Sequence, residues 1–189
     1  AMVNLGMGIP VLISAYVPQD RHVTMHSEHG VFGLGPKIDG FEHRDYINAS
    51  GQFASLADGA ALTDSATSFG FVKAGYLDVT VLGSLEVSSQ GDIANWWTPG
   101  RPPSIGGAMD LVVGANEVWV AMEHTDKKGR PKMLAKCNQP LTGRGCVTRV
   151  YTDLGVFIPK GKAFECLDMG PGVTQELIRE KTGAEVVFA

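Results

Sequence analysis

Cysteine is scarce in this chain, with three in 189 residues, and Cys137, Cys146 and Cys166 show no CxxC spacing. Neither a disulfide framework nor a zinc site is indicated, and the three read as buried thiols of a reducing compartment. Long hydrophobic runs are missing too. No stretch approaches the ~20 apolar residues a membrane span needs, and no secretory signal precedes the first strand-like run, so the chain is expected in the cytoplasm. The sequon Asn48-Ala49-Ser50 is then read as chance, since glycosylation needs a secretory context. Charge is sparse at 19%, and a net charge of −4 supplies no electrostatic footprint for nucleic acid or an anionic membrane. His22, His26, His29, His43 and His124 show no helical ligand spacing, so no metal site is expected.

What is present is glycine and an ordinary complement of apolar residues. Hydrophobic residues make up 44%, enough for one cored α/β domain spanning residues 1–189. Twenty-four glycines point to tight turns or to backbone lying close to a ligand. Val3 to Gly8 reads as a strand entering a turn, Pro10 starts a short helix, and Val23 to Ser27 forms the next strand. Lys37 to Asp58, with an Asp39-Gly40 turn, reads as loop with one short strand. A helix follows over Asp64 to Gly75, with Asp or Ser as its N-cap and glycine just past its end. Leu77 to Leu82 and Glu117 to Met122 suit buried parallel strands. Val87 to Ile105, holding Trp96 and Trp97, reads as a long loop. The segments Cys146 to Thr152, Leu154 to Ile158 and Phe164 to Met169 read as strands, Val173 to Thr182 as a helix, and Glu185 to Phe188 as a last strand. The fold class is α/β, a single open, mostly parallel sheet flanked by helices.

Two places carry chemistry. Glu28 ends an apolar strand and stands among small residues, with Gly30, Gly33 and Gly35 following. A carboxylate there acts as a nucleophile if the site limits water and supplies donors for an oxyanion; as a bare sequence it equally fits an exposed turn. Gly106-Gly107-Ala108 opens a helix, and free N–H groups at such a start hold an anion or a developing oxyanion. Close packing of that helix on the sheet explains the same small residues. Lys127, Lys128, Arg130, Lys132 and Lys136 form a basic segment that reads as solvated, or as steering for an anion. His124 reads as a hydrogen-bonded structural histidine.

The stretch Ser27-Glu28-His29-Gly30-Val31-Phe32-Gly33-Leu34-Gly35-Pro36 resembles the Ser-Glu-Asn-Gly motif, running into Gly-x-Gly-Pro, of the β subunits of 3-oxoacid coenzyme A transferases. The likeness continues, in the family's order, through Asn4-Leu5-Gly6-Met7-Gly8-Ile9-Pro10, Leu82-Gly83, Gly91 to Trp96, Gly106 to Val112, Met122-Glu123-His124-Thr125 and Pro140-Leu141-Thr142-Gly143. The resemblance implies a CoA-transferase-like (NagB/RpiA-like) fold, Glu28 as catalytic nucleophile, and an oxyanion or coenzyme A contact from Gly106, Gly107, Ala108 and Asn95. It places His29 and Asn48 beside the substrate. It implies no cofactor, coenzyme A being a substrate, with an acyl-CoA such as succinyl-CoA as donor and a 3-oxo acid such as acetoacetate or 3-oxoadipate as acceptor. The partner it implies is an α subunit, in an α2β2 assembly.

Departures from the family pattern are local. His29 stands where the family has Asn, and Gln52 where a lysine would meet a coenzyme A phosphate. Ala1-Met2 reads as a non-native start, and the helical segment that precedes the Asn-Leu-Gly block in the family is expected to be missing. Cys146 to Leu154 and Trp97 to Ile105 resemble the 3-oxoadipate enzymes slightly more than the acetoacetate ones. Alternatives from the residues are a thioester hydrolase using the same carboxylate, a non-catalytic module sensing an acyl-CoA or sugar phosphate, and a purely structural partner in a larger enzyme.

Overall fold

The computed structural model describes residues 1–18, 20–38, 45–98, 100 and 102–189. The Asp39-Gly40 turn, Pro99 and Arg101 lie outside the described residues. The chain builds β1 (Met2–Leu5), α1 (Ile9–Leu12), a 3-10 turn over Ile13–Tyr16, β2 (Thr24–Ser27), β3 (Val31–Lys37), β4 (Ala54–Leu62) and α2 (Ser65–Lys73). It continues through β5 (Val79–Leu82), β6 (Glu86–Ser88), β7 (Ile93–Ala94), α3 (Ala108–Gly114), β8 (Glu117–Ala121) and β9 (Met133–Leu134). The last part holds β10 (Val147–Thr152), β11 (Gly155–Pro159), β12 (Ala163–Met169), α4 (Gln175–Lys181) and β13 (Glu185–Phe188).

Ten of the strands form one open sheet in the order β13-β12-β11-β10-β8-β5-β1-β2-β3-β4. The central strands β10, β8, β5, β1 and β2 run parallel, and antiparallel strands extend the sheet on both sides. The predicted α/β class with a mostly parallel sheet is what forms. Parallel strands buried on both faces need apolar runs, which Val79-Thr80-Val81-Leu82 and Val118-Trp119-Val120-Ala121 supply. Val72, Leu77, Val118, Val120, Val150, Phe157, Phe164 and Ile178 are almost wholly buried in the main core. Among the described residues no helix is long and apolar enough to cross a membrane.

Helix boundaries follow capping chemistry. Asp64 Oδ1 accepts from the Thr67 backbone N–H at 2.9 Å and Oδ2 from the Thr67 hydroxyl at 2.7 Å, starting α2. Thr174 Oγ1 accepts from the Leu177 N–H at 3.3 Å and starts α4. The structure adds strands to the reading, among them β3 over Val31–Lys37 and β9 over Met133–Leu134. The segment 87–105 is not all loop: β6 and β7 pair within it and, with β9, make a second sheet of three strands. β4 is nine residues long although Ala, Gly and Asp populate it, because β3 offers it a partner edge.

His124 is 1% exposed and ties the end of β8 to its neighbours. Its Nδ1 lies 2.9 Å from Thr152 Oγ1 and its Nε2 2.9 Å from Thr182 Oγ1. Burial pulls its pKa down to about 4, against a raising influence from Asp153, so the structural reading of this residue fits its surroundings. Burial also pushes the thiol of Cys137 up to about 12 and that of Cys146 up to about 11, so neither is a thiolate near neutrality.

Candidate active site

Glu28 sits in a tight turn joining β2 to β3. The Gly30 N–H donates to the Ser27 carbonyl at 2.9 Å, closing Ser27-Glu28-His29-Gly30. Gly30 holds φ at 120°, and a Cβ there would lie 2.0 Å from the Thr63 carbonyl oxygen, so only glycine lets the turn pack against the entry to α2. Because β1, β2, β5 and β8 are parallel, the residues that leave their carboxyl ends share one edge of the sheet, where ligands gather in open α/β folds. Gly6 and Met7 after β1, Glu28 after β2, and Gly83, Ser84 and Leu85 after β5 line a single cleft of about 470 Å³.

The opposite wall is the start of α3. Gly106, Gly107 and Ala108 line the cleft with Ile105 and Trp96. A Cβ on Gly107 would lie 2.7 Å from Phe69 Cζ and 3.5 Å from Glu28 Cγ, so the double glycine packs directly on the glutamate and on the ring from α2. Gly107 is the N-cap of α3 and offers no side-chain cap hydrogen bond. The first N–H groups of the helix have no acceptor within it, and they border the space that Glu28 faces.

Below Glu28 lies a buried polar row. Thr80, Asn4 and His26 are register partners across β5, β1 and β2, and their side chains are almost fully buried. Thr80 Oγ1 donates to Asn4 Oδ1 at 3.3 Å, and Asn4 Nδ2 donates to Glu28 Oε2 at 3.0 Å. His26 Nε2 lies 2.8 Å from Ser68 Oγ on α2. Every polar side chain in the row has a partner, which is what such burial requires. Burial holds the His26 pKa below the ordinary imidazole value, opposed by the neighbouring Glu28 carboxylate and reinforced by His29.

The Coenzyme A transferase family profile matches residues 1–181. The chain belongs to the coenzyme A transferase family. It is 43% identical to a Bacillus subtilis protein named as one subunit of a probable succinyl-CoA:3-ketoacid coenzyme A transferase, over 97% of this chain and 86% of that protein. It is 39% identical to an Acinetobacter baylyi protein named as one subunit of a 3-oxoadipate CoA-transferase, over 99% and 88% of the two chains. Against the beta subunit of the Escherichia coli acetate CoA-transferase the identity is 42%, over 100% and 87%. Among solved structures the Escherichia coli O157:H7 acyl-CoA transferase YdiF superposes with a TM-score of 0.75 at 19% identity, a likeness of fold. This coenzyme A transferase chain is covered completely there and spans 39% of the YdiF chain.

Within this coenzyme A transferase, Glu28, Gly106, Gly107, Ala108 and Asn95 meet at one cleft. Asn95 stands in the wall with its amide engaged: Nδ2 donates to the Gly83 carbonyl at 3.1 Å and Oδ1 accepts from Thr142 Oγ1 at 2.6 Å. Asn48 closes its own loop, Oδ1 accepting from the N–H groups of Ser50 and Gln52 at 2.9 and 3.1 Å. Its neighbour Ala49 reaches the cleft wall instead. His29 is exposed, with Nδ1 2.9 Å from Ser27 Oγ, and does not line the cleft. In the basic segment Arg130 pairs with Asp126 at 2.6 Å; Lys127, Arg130 and Lys132 border a neighbouring cavity of about 830 Å³ together with Glu86, Glu123 and Asp126. Sequence reasoning missed the parts played by Asn4, Thr80, His26 and Ser68. The signal was there: single polar residues inside Val3-Asn4-Leu5 and Val79-Thr80-Val81 need buried partners.

Proposed function

We propose that this chain is the catalytic β subunit of a cytoplasmic CoA-transferase that moves coenzyme A from succinyl-CoA or another acyl-CoA to a 3-oxo acid, with Glu28 as nucleophile. The observation that carries the reading is the seating of Glu28: its carboxylate is held by buried Asn4 at 3.0 Å and faces the helix start at Gly107 across the cleft. The relatives are named as single subunits of their enzymes, one of them as beta, which supports an α subunit as partner; the α2β2 assembly is part of the proposal and rests on the resemblance alone. Met7 and Ile105, 69% and 53% exposed, lie at the cleft and favour closure by that second subunit.

In the proposed cycle the Glu28 carboxylate attacks the thioester carbonyl and expels the coenzyme A thiolate, leaving an acyl-glutamyl anhydride. The thiolate then attacks the glutamyl carbonyl, releases the donor acid as carboxylate and leaves a glutamyl-CoA thioester. The acceptor carboxylate attacks that thioester, and the freed thiolate takes the new acyl group, regenerating Glu28. Neither half falls into a deep well, because the anhydride reacts in both directions, and the kinetics are ping-pong. Backbone N–H groups around Gly107 and Ala108 stabilise the oxyanion of each addition; one such donor is worth about 3 kcal/mol of barrier.

The test is to assemble the chain with its α subunit, add succinyl-CoA, and look by mass spectrometry for coenzyme A bound covalently to the peptide carrying Glu28. Glu28→Gln is expected to remove the adduct and lower turnover by roughly three orders of magnitude or more. Full activity in that variant overturns the reading. Coenzyme A release without any acceptor acid identifies a hydrolase instead. Acetoacetate and 3-oxoadipate, compared as acceptors, decide the substrate.

A further inference from the structure

Asn4 can hold Glu28 only while its own carboxamide is held. Its Oδ1 takes the Thr80 hydroxyl at 3.3 Å, and its other end is fixed as nitrogen because it faces two groups that only accept, the Glu28 carboxylate and the His26 backbone carbonyl. Nδ2 carries two protons; one serves Glu28 Oε2 at 3.0 Å, and the other faces His26, whose backbone carbonyl lies at 3.3 Å and ring Nδ1 at 3.4 Å. An unprotonated Nδ1 suits a ring edge that faces an amide N–H, and the arrangement therefore fits the tautomer with its single proton on Nε2, 2.8 Å from Ser68 Oγ.

We propose that His26 is a positioning residue for Glu28, acting through Asn4: as the neutral Nε2–H tautomer it lets Asn4 Nδ2 point at the carboxylate, and protonation of Nδ1 turns Asn4 away. The proposal rests on Glu28 being the nucleophile. With Nδ1 protonated, two donors meet at 3.4 Å, so the carboxamide rotates and Glu28 loses its partner. The ring is 3% exposed, and burial favours its neutral form. The charged groups that act on it are Glu28, which favours protonation, and His29, which opposes it. Its other faces meet Phe32 at 4.9 Å between ring centroids, Ser68 and Asn4, all uncharged. The ring's pKa lies below the ordinary imidazole value of 6.5, so transfer is expected to be unaffected at neutral pH and to fade as the pH drops below that value.

The experiment uses the chain complexed with its α subunit. The rate of coenzyme A attachment to the Glu28 peptide, kcat and KM are measured from about pH 5 to 8, the range in which histidine titrates. His26→Asn places an amide oxygen near the former Nδ1 and does not ionise; whatever its absolute rate, its profile should lose the acidic decline that wild type shows. His26→Phe fills the volume without an acceptor; kcat should fall about tenfold with KM for the acyl-CoA unchanged, the size of one hydrogen bond to a charged group. Ring ¹⁵N shifts of the unmutated protein should report the Nε2–H tautomer at neutral pH, a readout that does not depend on any variant folding. A Nδ1–H tautomer, a His26→Phe enzyme with wild-type kcat, or acidic declines that are parallel in wild type and His26→Asn overturns the proposal. Glu28→Gln, run alongside, separates the two levels: an adduct that survives it refutes the nucleophile itself, while an adduct lost there with an unaltered His26→Asn profile refutes only the role of His26.

Discussion

Replacing Asn4 tests whether the buried row beneath the cleft serves turnover or only packing. Asn4→Ala removes the 3.0 Å donor to Glu28 Oε2 and strands the Thr80 hydroxyl and the His26 ring edge. A hydrogen bond to a charged group contributes about 1.5–3 kcal/mol. At about 1.4 kcal/mol per factor of ten, that predicts a fall in kcat of roughly 10- to 150-fold. The stranded partners should also cost about 1–3 kcal/mol of stability, read as a lower urea midpoint. Asn4→Asp is nearly the same shape yet sets a second carboxylate against Glu28. Two anions at that distance repel until one takes up a proton. Its activity should therefore be lower than that of Asn4→Ala at neutral pH and should recover on mild acidification, against the wild-type trend. The assay is succinyl-CoA-dependent transfer with the reconstituted α subunit, together with a thermal melt on each variant. A folded Asn4→Ala enzyme with kcat within about twofold of wild type would refute the reasoning, since the hydrogen bond would then be worth far less than its expected range.

Two further perturbations act elsewhere. Gly107→Ala puts a methyl 2.7 Å from Phe69 Cζ and 3.5 Å from Glu28 Cγ, so the ring must swing and the helix start shifts against the glutamate. Displacements of that kind cost up to about a hundredfold in rate, and adding Phe69→Leu should restore part of it; a double variant no better than Gly107→Ala would show that the ring is not the obstacle. His124, pulled down from 6.5 to about 4, binds fewer protons folded than unfolded between those values, so its contribution is complete above pH 6.5 and is lost as the pH falls towards 4. At about 1.4 kcal/mol per pH unit the loss is about 3 kcal/mol. Urea midpoints followed across that window should steepen in wild type and flatten in His124→Gln; parallel curves would exclude His124 as the source.

Much of the fold was legible because the central strands are apolar runs of the right length and the helices carry ordinary caps, as at Asp64 and Thr174. β4 escaped notice because Ala-Ser-Leu-Ala-Asp-Gly-Ala-Ala-Leu has little strand preference of its own and exists as a strand through pairing with β3. The β6–β7 pair was hidden by shortness: three and two residues give no period to read. At the cleft, Glu28 and the double glycine stood out locally, through motif and through glycine spacing. Asn4, Thr80, His26 and Ser68 did not, since their meaning lies in pairings across 76, 22 and 42 residues of chain. Asn48 and His29 entered through the resemblance, and what the structure adds is local: Asn48 closes its own loop and His29 lies beside Ser27.

The row Thr80–Asn4–His26 has a consequence for how far this enzyme tolerates lengthening or shortening. Side chains alternate across a sheet, so sliding β1 by one position against β2 would bring Leu5 or Val3 opposite His26 and carry Asn4 through to the far face. A single-residue insertion within Met2–Leu5 or Thr24–Ser27 would thus part Glu28 from Asn4 while leaving every chemical group in place. On the proposed role of Glu28, the alignment of neighbouring strands is itself part of what turnover depends on.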